Sequence, residues 1–140
     1  MFIICSIQVR YENVWAPEWV AYYTTKTRGQ LTEYEFDDDE WLVGIRGEKG
    51  KLIDEKGEYR GELIDQLVPV TTKRQWELEE SSGGGEYEIL VGNQHVVYFK
   101  GYSYNGHVSG LEVYYADCDG KITRNSVCIV NIEVRWWEMV

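Results

Sequence analysis

Residues 128–137 read Cys128-Ile-Val-Asn-Ile-Glu-Val-Arg-Trp-Trp137, and residues 3–12 read Ile3-Ile-Cys-Ser-Ile-Gln-Val-Arg-Tyr-Glu12. In the first stretch Cys128, Val130, Ile132, Val134 and Trp136 share one face, with Asn131, Glu133 and Arg135 opposite. In the second, Ile3, Cys5, Ile7, Val9 and Tyr11 oppose Ser6, Gln8, Arg10 and Glu12. Apolar residues two apart line one side of a half-buried strand, whereas a helix would scatter them around its axis. Both terminal strands are therefore expected well inside a sheet, and the fold class is mainly β.

Inward from the C-terminal stretch, residues 86–91 predict a strand closed by Gly92-Asn93, and residues 94–104 a second strand. Asn105-Gly106 tolerates positive φ at both positions and predicts a hairpin turn. That turn would set Tyr104 opposite His107 and Tyr98 opposite Val113. It would place Val96, Tyr98, Tyr102, Leu111, Val113 and Tyr115 on one face. Asp117-Cys-Asp-Gly120 would then lead into the last strand, making residues 86–137 a four-stranded meander. Earlier in the chain, residues 19–26 and 31–36 predict strands, and residues 51–64 a hairpin around Lys56-Gly57.

Residues 37–46 suit a short helix capped by Asp38 or Asp39 and ended by Gly47, and residues 62–68 a helical turn stopping before Pro69. Ser81-Ser-Gly-Gly-Gly85 predicts a flexible loop. The expected architecture is one domain over residues 1–140, a twisted antiparallel sheet forming a sandwich or open barrel with one or two short helices. An α+β arrangement is the alternative.

A chain of 140 residues can bury a core without metal or disulfide staples. Three cysteines, Cys5, Cys118 and Cys128, lack paired spacing and point to a reducing compartment. The first residues lack the basic leader and long apolar run of a signal peptide, and no stretch approaches the ~20 apolar residues of a membrane span. These features predict a cytoplasmic protein. A formal net charge of −10 disfavours direct contact with nucleic acid or an anionic membrane.

Little in the sequence carries catalytic chemistry. His95, His107, Cys118 and Cys128 lie ten to twelve residues apart, without the close pair that zinc sites use. Cys128 reads as a small buried thiol. Asp117 and Asp119 before Gly120 resemble the start of a calcium loop, but Lys121 and Cys128 occupy ligand positions, so a turn explains them. Gly106-His-Val-Ser-Gly110 is not a nucleophile elbow, and no Lys-Ser/Thr follows Gly83-Gly-Gly85. No metal, no cofactor and no enzymatic activity are expected.

What stands out is the placement of acid. Glu33, Glu35, Asp37 and Asp39 alternate with Tyr34, Phe36 and Asp38, and Glu40 follows. Glu77 and Glu79 flank Leu78, with Glu80 next, and Glu86 and Glu88 alternate with Tyr87 and Ile89. On strands, each such row would turn its carboxylates outward about 6–7 Å apart. Between residues 33 and 65, twelve acidic residues face five basic ones, a net of −7. Such rows suit either a solvated outer face or a partner protein with a basic surface.

The function expected from these observations is a non-enzymatic acidic binding protein of the nucleic-acid-mimic or anti-defence inhibitor type, such as phages carry. It would engage its partner through Glu33, Glu35, Asp37, Asp38, Asp39, Glu40, Glu77, Glu79 and Glu80. The alternative is a β domain that binds or sequesters a small ligand or nucleotide in an aromatic-lined pocket, using Tyr98, Tyr102, Tyr115 or Trp136. Homo-oligomer formation is compatible with either.

Overall fold

The structure, a computed structural model, describes residues 2–11, 14–17, 19–20, 30–53, 55–78, 85–104, 107–117 and 128–138, some by backbone alone. The two patterned ends form its centre. β1 (Phe2–Tyr11) and β10 (Ile129–Glu138) pair antiparallel along their length. β2 (Val14–Trp15) and β3 (Trp19–Val20) add to the far side of β1, and β4 (Gln30–Glu35) to the far side of β10. Both terminal strands are thus interior, as their patterning requires.

Two bulges alter which residues face in. The register of β1 on β10 shifts at Cys5 and again at Val130. An extra residue reverses the alternation beyond it. Ile4 is therefore buried at the start of β1, while Ile7 and Val9 keep their expected inward positions. In β10, Ile129 replaces Val130 inside, followed by Ile132 and Val134.

A second sheet has the order β6-β5-β7, built from β5 (Leu42–Ile53), β6 (Tyr59–Thr71) and β7 (Gly85–Leu90). The expected hairpin around Lys56-Gly57 is present and longer than its sequence pattern, with Gly57 at φ 79°. The expected helices are not: among the described residues there is none. Residues 38–39 form a turn, and from Leu42 the chain is strand. Gly44 explains this locally, because a Cβ there would collide with the Ile89 carbonyl of the adjoining strand. The would-be helical turn at residues 62–68 lies wholly in β6. Pro69 is tolerated there because β6 is an edge of this sheet, so the missing N–H interrupts no further ladder.

The third sheet is the hairpin β8 (His95–Tyr104) and β9 (His107–Ala116). The four-stranded meander is therefore corrected: β7 pairs with β5, β8 with β9, and β10 with β1 and β4. The turn at Gly92, φ 67°, hands the chain from the second sheet to the third. The Asn105-Gly106 turn, most of the Asp117–Gly120 segment and residues 81–84 lie outside the described residues. One apolar core joins the sheets, drawing Ile4, Ile7, Ile132 and Val134 from the first, Leu42, Ile45, Leu67 and Val68 from the second, and Val96, Phe99 and Val108 from the third.

Cys128 is disulfide-bonded, which corrects its expected state as a small buried thiol. No helix among the described residues is long and apolar enough to cross a membrane.

Candidate functional site

Strand β6 carries Leu63-Ile-Asp-Gln-Leu-Val68, two polar residues inside an apolar run, and every one of the six is buried. The register of β5 on β6 slips by one residue here, Glu48 opposing Gln66 and Lys49 opposing Ile64, so Asp65 is the extra residue of a bulge. The bulge re-aims the Asp65 carboxylate over Gly50, where a Cβ would lie 2.9 Å from Oδ2. Across β5, the Tyr87 hydroxyl donates to the Gln66 carbonyl at 2.9 Å. Burial, and then the Asp65 carboxylate, push the Tyr87 hydroxyl's pKa up.

Asp65 and Gln66 line a half-open cleft of about 100 Å³ between β6 and the first sheet. Its opposite wall consists of Ile4, Thr32, Tyr34, Val134 and Trp136, and Glu77 stands at its margin. The Trp136 indole N–H donates to Thr32 Oγ at 2.9 Å, which fixes the plane of the ring. Tyr34 packs edge-on against Trp76, with ring centroids 5.2 Å apart. Two aromatic residues, two acidic ones, a glutamine and a threonine thus border one concavity. Of these, sequence reasoning selected Trp136 and Glu77 and missed Thr32, Tyr34, Asp65 and Gln66. The available signal was the polar pair within the apolar run of β6.

The acidic residues divide. Glu33 and Glu35 are exposed on β4; Glu33 accepts from the Asn131 amide at 2.7 Å, and Glu35 lies 3.8 Å from Arg10. Asp37, Asp38 and Asp39 are exposed, and Lys73 pairs with both Asp37 and Asp39. Glu40 does not belong to an outward row, contrary to expectation: it is 4 % exposed. Arg74 grips its carboxylate with Nε at 2.8 Å and Nη2 at 2.9 Å, the Thr71 hydroxyl donates to it, and so does the Asp37 backbone N–H at 2.9 Å. Glu40 has the same parity as buried Tyr34 and Phe36, and the turn at residues 38–39 brings Asp38 out instead. Burial opposes ionisation of Glu40, but these hydrogen bonds outweigh it and hold the carboxyl below its usual range. Glu79 and Glu80 lie outside the described residues.

The aromatic residues chosen on sequence also divide. Trp136 lines the cleft, whereas Tyr98, Tyr102 and Tyr115 are exposed on the β8–β9 hairpin. The expected end pair, Tyr104 with His107, is present. Bulges at Val97 and Ser109, however, set Tyr98 opposite Tyr114 and Phe99 opposite Val113. Phe99 therefore enters the core where Tyr98 was expected. Among the described residues, no cluster of three His, Cys, Asp or Glu side chains is placed to hold a metal ion.

Residues 2–114 match the model of the Jacalin-like lectin domain. This chain belongs to that family. The several antiparallel sheets around one core accord with the family's β-prism, and a lectin domain is a binding fold. No curated relative and no solved structure matches the chain. The matched residues of this lectin domain run from β1 to within β9. Trp136 and Val134 of the cleft lie in β10, beyond the match, and reach the site by pairing with β1 and β4.

Proposed function

We propose that this lectin domain binds carbohydrate and that the cleft between β4, β6 and β10 receives one edge of a sugar ring. The observation that carries the reading is the meeting of Trp136 and Tyr34 with Asp65, Gln66, Glu77 and Thr32 in one concavity of a lectin-family domain. A pyranose presents C–H groups on its faces and hydroxyls around its rim. Electron-rich aromatic faces attract the former, and carboxylates and amides pair with the latter. At about 100 Å³ the cleft is well below the ~300 Å³ at which pockets begin to enclose drug-sized ligands. It suits partial insertion of a ring, with the rest of the glycan outside.

The acidic-inhibitor reading has weaker support. Glu40 is withdrawn into a buried ion pair, and Lys73 offsets Asp37 and Asp39.

The test is an NMR titration of the Trp136 indole resonance with galactose, mannose and glucose. Movement of that resonance with at least one sugar, reduced in Glu77→Gln, is the expected result. Glu77 is exposed at the cleft margin, so its replacement leaves the core intact. A Trp136 resonance that none of the three sugars moves would overturn the assignment.

A further inference from the structure

The outer face of the β8–β9 hairpin carries tyrosines that the core does not use. Opposed across it are Tyr98 with Tyr114, Lys100 with Glu112, and Tyr102 with Gly110. Tyr98, Tyr102 and Tyr114 are 48, 45 and 45 % exposed. The bulge at Val97 brings Tyr98 and Tyr102 to the face that Tyr114 occupies, and the Tyr11 hydroxyl of β1 fixes that bulge by donating to the Val97 carbonyl.

These rings are held in place. The hydroxyls of Tyr102 and Tyr114 both donate to Glu112 Oε2, at 2.7 and 3.3 Å. The Tyr98 and Tyr114 rings lie 6.1 Å apart at a 45° tilt. Tyr102 packs beside Gly110, where a Cβ would sit 3.8 Å from its ring, and the Lys100 ammonium lies 5.4 Å from the ring centroid. Rings fixed before binding lose little conformational freedom when a ligand arrives, and tyrosine offers wide amphipathic contact at low entropic cost.

We propose that this face is a second glycan surface, on which an extended neutral oligosaccharide lies across Tyr98, Tyr102 and Tyr114. The proposal rests on the carbohydrate-binding reading above. Shape and charge select the occupant. From Tyr98 to Tyr102 the platform runs about 13 Å along a strand and is only two strands wide. That ribbon matches a linear sugar chain better than a protein surface, which needs about 800 Å² per partner. The net charge of −10 repels sulfated or uronic-acid chains, and on the face itself Lys100 opposes Glu112, which leaves neutral chains. With the cleft as a separate site, one domain would engage two points of a polymer and gain avidity.

Affinity electrophoresis of the full chain through gels containing galactomannan, xyloglucan or dextran sulfate tests this, alongside the Trp136 titration of Tyr98→Ala/Tyr114→Ala. Galactomannan or xyloglucan is expected to retard the wild type. The double variant should lose about tenfold in apparent affinity for the polymer while its Trp136 resonance still responds to monosaccharide. Both substitutions are on the outer face, and an unshifted Trp136 resonance verifies the fold. Equal retardation of variant and wild type would overturn the platform, as would retardation by dextran sulfate alone. In either case a titrating Trp136 would leave the cleft reading standing, and a silent Trp136 would remove that reading as well.

Discussion

The hydroxyl of Tyr87 on β7 reaches over the middle strand, above Gly47, to the carbonyl oxygen of Gln66 on β6. A Cβ at residue 47 would intrude on both that carbonyl and the Tyr87 hydroxyl, so the glycine makes room for the ring, and the ring in turn ties the Asp65–Gln66 bulge. Gly47→Ala is expected to destabilise the fold by about 1–3 kcal/mol through overpacking. Tyr87→Phe should cost about 1 kcal/mol, the worth of one hydrogen bond. Urea unfolding checks both, and a neutral Gly47→Ala would show that the strands part more easily than this geometry allows.

Glu40 is the buried end of an ion pair whose other end, Arg74, also lies over the Trp76 ring, 4.5 Å from its centroid. Its carboxyl pKa is lowered from 4.5. The unfolded chain therefore takes up this proton more readily than the folded one. The resulting stability is complete above pH 4.5 and disappears as pH falls through the folded value. Glu40→Gln should lower stability at pH 7 by about 2 kcal/mol, and the difference from wild type should shrink on acidification. A pH-independent difference in chemical denaturation would contradict this.

His95 packs at the side of Trp41, with ring centroids 6.1 Å apart. Burial lowers its pKa from 6.5, and Asp117 partly opposes the shift. Here too the unfolded chain binds the proton more readily, so the contribution is whole above pH 6.5 and lost as pH falls toward the folded value. An NMR titration should place the His95 midpoint below 6.5, and Asp117→Asn should move it lower still. A midpoint that rises in the variant would reverse the assigned role of Asp117.

With Cys128 in a disulfide, one of the chain's three cysteines is left over. Alkylation of unreduced, denatured protein followed by mass measurement should therefore label one cysteine, and three after reduction. Labelling of all three without reductant would contradict the disulfide. Cys128→Ser should lower stability by about 2–4 kcal/mol.

Much of the strand content was legible in the sequence. Alternation located β1, β10 and the β8–β9 hairpin, and Lys56-Gly57 located the β5–β6 turn. Residues 37–46 misled because Asp38, Asp39 and the acids around them resemble a helix start, whereas the requirement at Gly44 comes from Ile89, a residue 45 positions away. The cleft was legible only in part. Trp136 and Glu77 are conspicuous residue types, but Thr32, Tyr34 and Asp65 become a site only when β4 and β6 meet β10.

Local chemistry alone determined that this chain is built of strands, since a two-residue apolar period satisfies a pleated backbone and no helix. Which strands pair, which side chains face inward and where the cleft opens were decided by the tertiary structure. Bulges at Cys5, Asp65, Val97, Ser109 and Val130 each add one residue to a ladder, and one residue exchanges the faces of everything beyond it. A bulge is set by the partner strand as much as by its own residues, and so leaves little trace in the linear pattern.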